Sequence, residues 1–185
     1  MVAPAQRRYR TRLALATDAA AIARIYNQGI EERVGTFETE LRTEADVLGW
    51  LEAGYPVVVC EGGAGEVVAW ASATPYRAHR PVYAGIADFS IYVARTARGR
   101  GAGRATLAAL IGEAERRGYW KLVSRIFPEN AASLALCRSL GFREVGVYRR
   151  HAQLDGVWRD VVIVERLLGP AAAGSAAAAG RAGAE

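Results

Sequence analysis

Polar and apolar residues alternate from Tyr9 to Leu15, which predicts a strand. Thr17 then stands where an N-cap would open a helix carrying Ile22, Ile25, Tyr26 and Ile30 on connected faces. A second helix is predicted from Thr43 through Val47, Leu48, Trp50 and Leu51, stopped by Gly54 and Pro56. Two apolar, β-branched runs, Tyr55 to Cys60 and Glu66 to Ala73, are separated by Gly62, Gly63 and Gly65 and read as a hairpin. A polar loop from Pro75 to Pro81 leads into a longer strand, Tyr83 to Val93. Beyond the glycines at 99, 101 and 103, Leu107, Leu110, Ile111 and Ala114 recur at i, i+3, i+4 and i+7, a helical period that Gly118 ends. A strand from Tyr119 to Ile126, a helix from Asn130 to Leu140 and a strand from Phe142 to Tyr148 follow. Past the Asp155-Gly156 turn, Val157 to Leu167 reads as the last strand. This order predicts an α/β (α+β) chain built around a central sheet.

Composition bounds that picture. The chain has 185 residues, enough for one substantial core and little more. After Leu168 the pattern stops, and nine of the sixteen residues from Pro170 to Glu185 are alanine, so residues 1–168 are expected to form the domain and 169–185 a disordered Ala/Gly-rich tail. The formal net charge of +5 is spread along the chain, which suits anionic small molecules as readily as nucleic acid. Arg7, Arg8, Arg10 and Arg12 read either as a nucleic-acid arm or as a solvated terminus. They lack interleaved aromatics beyond Tyr9, so no nucleic-acid partner is expected. The opening MVAPAQRRYR has no apolar core of a signal peptide and no later run is long enough to cross a bilayer, so the expected location is cytoplasmic with no membrane partner. Cys60 and Cys137 are far apart and share no metal-ligand spacing with His79 and His151, so neither a disulfide framework nor a metal site is expected.

The densest chemistry lies between Phe89 and Ile111, where a strand passes through a glycine-rich turn into an amphipathic helix. Gly99, Gly101 and Gly103 permit positive φ and close backbone approach, so several N–H groups can converge on one anion beside the positive end of the helix dipole. Arg98, Arg100 and Arg104 add charge at the same place. The spacing excludes commoner phosphate loops: Arg104 stands where the dinucleotide fingerprint needs glycine, and no Gly-Lys-Ser/Thr follows for a nucleoside triphosphatase.

Arg98-Gly99-Arg100-Gly101-Ala102-Gly103 resembles the Arg/Gln-x-x-Gly-x-Gly/Ala signature of the GNAT superfamily of acyl-CoA-dependent N-acetyltransferases. Asn130, Ser133, Leu136 and Gly141-Phe142 are similar to the same superfamily's downstream Asn-to-Gly-Phe helix. The resemblance implies the GNAT acyl-CoA N-acyltransferase fold, a mixed, mostly antiparallel central sheet flanked by helices, with acetyl-CoA as co-substrate and no metal. It implies that the loop, Arg98 through Arg104, binds the pyrophosphate of coenzyme A. Asn130 and Ser133 then border the pantetheine arm, and backbone groups of Ile91, Tyr92 and Val93, on a strand splayed from its neighbour, hold the acetyl carbonyl and pantetheine amides. The segments IYNQGI, GTFETE, TPYRAHRPVY, the Asp88-to-Val93 strand, FPENAAS, LGF and Trp158-Arg159-Asp160 look like the phosphinothricin N-acetyltransferase branch, which includes arsinothricin-resistance enzymes. That likeness runs from Arg10 to Leu168. It implies acetyl transfer to the α-amino group of a glutamate-like amino acid carrying a phosphinate or arsinate, with resistance as the biological sense and a homodimer as the assembly.

Such a reaction needs a base for the protonated amine, donors for the developing oxyanion and a departing thiolate. Asp88 matches the branch's general-base glutamate but is one methylene shorter, so it acts directly, through water, or only as a strand carboxylate paired with an arginine. Cys137 takes the place of a tyrosine or histidine proton donor, while its helical spacing with Leu134 and Leu140 favours a core residue. For a doubly anionic acceptor, Arg77 and Arg80 match basic positions of the branch and Phe37 its substrate-side aromatic, with His151 lining the same cleft; the bland reading is two solvated arginines and a core phenylalanine. Other small amines remain open as acceptors: methionine sulfone or sulfoximine, an ordinary amino acid, a polyamine or an aminoglycoside. So does a non-catalytic acyl-CoA-binding module, motivated by the short Asp88 and by Cys137.

Overall fold

In the computed structural model, which describes residues 9–173, the alternating segment after Tyr9 forms β1 (Arg10–Leu13). Thr17 does not cap the next helix: Ala16–Asp18 is a tight 3-10 turn, and α1 (Ala19–Glu32) begins after it. The reason is Asp18, whose buried carboxylate accepts the Leu15 N–H at 2.8 Å and pairs with Arg12 at 2.6 Å, a stronger partner than a threonine hydroxyl offers. Thr43 does cap α2 (Glu44–Glu52), its hydroxyl accepting the Asp46 N–H at 3.2 Å while the Asp46 carboxylate accepts the Thr43 N–H at 2.7 Å.

The hairpin is β2 (Val57–Glu61) and β3 (Val67–Pro75), and β4 (Ile86–Val93) follows. It starts later than the sequence pattern predicts because Pro81–Tyr83 winds into a 3-10 turn. Next come α3 (Ala102–Arg116), β5 (Lys121–Ile126), α4 (Ala131–Ser139), β6 (Arg143–Leu154) and β7 (Val157–Leu167). The strand β6 outruns its expected end at Tyr148. Its ladder with β7 slips between Tyr148 and Ala152, and Asp160 takes the Arg150 N–H at 2.7 Å, so the strand continues past a polar Arg149-Arg150-His151 break.

The sheet has seven strands in the order β1-β2-β3-β4-β5-β7-β6, antiparallel throughout except for the parallel pair β4–β5. It is therefore the mixed, mostly antiparallel sheet with flanking helices that the resemblance implies. Period-two alternation sorts its side chains: Val58 joins Leu107, Leu110, Phe89 and Phe142 beneath α3 and α4, while Val57 and Val59 join Ile22, Ile25, Val47 and Trp70 beneath α1 and α2. Cys60 and Cys137 are buried free thiols. Among the described residues no helix is long and apolar enough to cross a membrane. The chain is helical at 169–173, while positions 174–185 of the expected tail, with Arg7 and Arg8, lie outside the described residues.

Candidate active site

The site originates in the one parallel pair. Strands β4 and β5 are in register at Ile86–Lys121, Ala87–Leu122 and Asp88–Val123, and there the ladder ends. Beyond Asp88, β4 stays with β3 as far as Val93 and β5 stays with β7 as far as Ile126, so the two strands diverge. Two cavities occupy the split, one of about 500 Å³ toward the glycine turn and one of about 330 Å³ toward Asp88. They meet across Gly35, Ile91, Tyr92, Asn130 and Ser133, which line both.

The larger cavity has the makings of an anion site. Gly101 opens α3 at φ 93° and Gly99 sits at φ 68°, both in the left-handed region, so the turn aims backbone N–H groups and the free first-turn amides of α3 at the cavity. A Cβ on Gly103 would stand 3.3 Å from the Val93 side chain and 3.4 Å from that of Leu136, so a bare backbone lets the loop close between β4 and α4. Arg98 lines the cavity, donating to the Val93 carbonyl at 3.1 Å and pairing with Glu32 at 2.9 Å. Burial opposes ionisation of Glu32, but the guanidinium groups of Arg95 and Arg98 outweigh it and hold the carboxyl below the usual range. Arg104 bridges to α4 through the Ser139 carbonyl and hydroxyl at 3.0 and 2.8 Å. Arg100 is exposed at the rim. Asn130 is engaged by the protein itself: its carbonyl oxygen caps α4 by accepting the Ser133 N–H at 3.1 Å, and its amide donates to the Val34 carbonyl at 3.1 Å.

The smaller cavity carries the titratable groups. The Asp88 carboxylate accepts a bond from Arg125 at 2.7 Å, and both residues line this cavity with Glu38, which pairs with Arg42. Phe37 lines it too, edge-on to Phe127 at 4.8 Å. Cys137 forms part of the wall, and burial pushes its thiol up to about 12. Tyr92 packs against Tyr26 and Trp70 with ring centroids 4.5 and 5.1 Å away, and burial drives its phenol well above the usual range.

The remaining residues singled out from sequence lie elsewhere. Arg77 and Arg80 are exposed and lie over Tyr76 and Tyr83, with Arg77 5.3 Å from the Tyr76 ring and Arg80 5.4 Å from that of Tyr83; neither lines the cavity. His151 sits on β6 behind Phe37, 6.3 Å away, also outside the lining. Sequence reasoning missed Arg125 and Glu38, and singled out Tyr92 for its backbone groups, not for the ring that packs on Tyr26. For Arg125 the available signal was a charged residue between the apolar positions Val123 and Ile126 of a predicted strand.

An anion cradle at a helix start, joined through a strand split to a small cavity holding a carboxylate, is the geometry of group transfer from a phosphate-bearing donor. The profile of the acetyltransferase (GNAT) family matches residues 21–142. The chain belongs to the GNAT family of acetyltransferases. Among curated relatives, the phosphinothricin N-acetyltransferase of Streptomyces coelicolor is 32% identical over 157 residues, 82% of this chain and 91% of that protein. The L-methionine sulfoximine/L-methionine sulfone acetyltransferase of Pseudomonas aeruginosa is also 32% identical over 157 residues, covering 83% and 91%. Among solved structures, a GNAT phosphinothricin acetyltransferase from Sinorhizobium meliloti in complex with acetyl-CoA superposes with a TM-score of 0.83 at 31% identity, covering 90% and 91%.

This GNAT chain is therefore an acetyl-CoA-dependent N-acetyltransferase of the phosphinothricin acetyltransferase branch. The residues present fit the donor, because the glycine turn offers amides and arginines to a pyrophosphate and the cavity continues as far as the Asp88 chamber. Among the described residues no cluster of three or more His, Cys, Asp or Glu is arranged to hold a metal.

Proposed function

We propose that the acceptor is a small amino acid with an anionic or strongly polar side chain, acetylated on its α-amino group: phosphinothricin, arsinothricin or methionine sulfoximine. The observation that carries this reading is the pairing of one carboxylate, Asp88, with one guanidinium, Arg125, inside the smaller cavity, a complement to the ammonium and carboxylate of an amino acid. The names of the relatives from Streptomyces and Pseudomonas support it. Arg77 and Arg80 stand on the loop before β4 as second-line partners for a side-chain anion. Acetylation of such an analogue would serve resistance in the cytoplasm.

In this mechanism Asp88 takes a proton from the acceptor ammonium and exposes the nitrogen lone pair. Peptide N–H groups on the unpaired edge of β4 at Ile91–Val93 polarise the acetyl carbonyl. The nitrogen–carbon bond forms, the carbon–sulfur bond breaks, and the second nitrogen-bound proton ends on the departing thiolate. Cys137 serves as wall: a thiol pushed up to about 12 by burial holds its proton too tightly to be a good acid for a coenzyme A thiolate. The working assembly is a homodimer built on the β6–β7 ribbon, where Val147 and Trp158 stay 52% and 56% exposed, and residues 1–168 make up the catalytic domain.

The test is thiol release from acetyl-CoA by the purified protein against phosphinothricin, arsinothricin, methionine sulfoximine, glutamate and spermidine. Turnover confined to the amino acids supports the reading. Turnover of spermidine alone, or acetyl-CoA binding with no turnover, refutes it.

A further inference from the structure

Within the smaller cavity, Glu38 and Asp88 supply negative charge, and Arg125 is the one cation among the described residues that line it. Of the five N–H donors on its guanidinium, the described residues engage one, that to Asp88. Its neighbour on the same face of β5, Lys121, is by contrast anchored to Glu165 at 2.9 Å on the next strand but one from β4, away from the cavity. Arg125 thus presents unused donors beside the base. It also constrains that base directly, because the bond it makes occupies an oxygen of the carboxylate that has to accept the amine's proton.

We infer that Arg125 is an acceptor-binding residue that captures the α-carboxylate of the amino acid, and that this capture releases Asp88 to deprotonate the neighbouring ammonium. The assignment to the α-carboxylate follows from distance. Asp88 and Arg125 are 2.7 Å apart, and in an amino acid the carboxylate carbon is two bonds from the amine nitrogen, so a single acceptor matches both partners only through those two groups. A side-chain phosphinate several bonds away does not fit the same pair. The exchange conserves charge: an Arg–Asp pair becomes an Arg–carboxylate pair and an Asp–ammonium pair, and one proton then passes from nitrogen to Asp88. An amine without an adjacent carboxylate leaves Arg125 on Asp88 and the base engaged. The inference rests on the proposed amino-acid acceptor and names how that acceptor is recognised.

The experiment compares a free amino-acid acceptor such as phosphinothricin or methionine sulfoximine with its α-carboxamide, using the wild-type protein, Arg125→Ala and Arg125→Lys, with acetyl-CoA affinity measured for each to confirm a folded donor site. The wild type is expected to favour the free acid strongly. In Arg125→Ala the KM for the free acid rises about 10- to 100-fold while kcat/KM for the carboxamide is unchanged or higher, so that the preference collapses. Arg125→Lys restores part of it, as a point charge without the planar fork should. An equal loss on acid and carboxamide, or an acid preference untouched in Arg125→Ala, overturns the role of Arg125 while leaving the acceptor class standing. A wild-type protein that uses only amines without a carboxylate overturns both.

Discussion

Asp88 and Cys137 both line the smaller cavity, and their surroundings differ: Asp88 is half-buried beside Arg125, whereas Cys137 is buried. Asp88 is a partly exposed carboxylate paired with Arg125, and as the proposed general base its replacement in Asp88→Asn is expected to lower kcat/KM by roughly 10²- to 10⁴-fold. Acetyl-CoA affinity, read by calorimetry, should stay within about twofold of wild type, since Asp88 does not line the donor cavity. Cys137 is buried, with its thiol pushed up to about 12, so Cys137→Ala is expected to leave kcat within about threefold and to cost on the order of 1 kcal/mol in denaturant unfolding. A hundredfold fall in kcat would instead make the thiol the proton donor. Asp88 was legible because it stands on the strand entering the glycine turn. Arg125 was not, because an arginine inside a strand carries no local mark, and its partner lies 37 residues away in the chain.

Elements hold these residues through their ends. The left-handed start of α3 at Gly101 leaves room for a methyl group, the nearest atom to a Cβ there being a Tyr9 ring carbon at 3.9 Å, so a side chain is penalised by backbone conformation and not by crowding. Gly101→Ala is expected to weaken acetyl-CoA binding about tenfold by turning amides away from the anion, measured as Kd, with stability lowered by about 1 kcal/mol. The opening of α1 responds to pH. Hydrogen bonding from Arg12 lowers the Asp18 carboxyl against the opposing effect of burial, and the Leu15 N–H adds to the lowering. A carboxyl whose folded value is depressed contributes stability above its unfolded range and loses it as pH falls through the folded value. Asp18→Ala should therefore be about 2 kcal/mol less stable than wild type at pH 7, and the gap should close as the pH drops below about 4, as followed by urea unfolding. The helix interiors, the Thr43 cap and the β7 limits could be read from periodicity and turn residues. The Thr17 cap could not, because Asp18 is claimed by Arg12 from β1 and Leu15 from the turn, a competition from the preceding strand and turn that a cap rule read on Thr17 alone omits.

At the scale of the whole molecule, the ribbon β6–β7 leaves Val145, Val147, Tyr148, Val157 and Trp158 exposed along its two faces. If a second copy covers this ribbon, Val147→Asp combined with Trp158→Asp should convert a dimer mass to a monomer mass in light scattering, with acetyl-CoA binding retained because neither residue lines the larger cavity. A wild-type protein already monomeric at micromolar concentration would refute that assembly. The division of labour between chain and fold follows from range. The amino-acid order by itself determined the run of strands and helices and the glycine turn at Arg98–Arg104, which depend on residues a few positions apart, and the family and the donor, which rest on short local motifs spread along the chain. Tertiary structure alone decided where β4 leaves β5 and that Arg125 enters the smaller cavity beside Asp88. Those outcomes depend on sheet register and on the burial of partners tens of residues apart, and a side chain's charge does not state the direction in which the fold will point it.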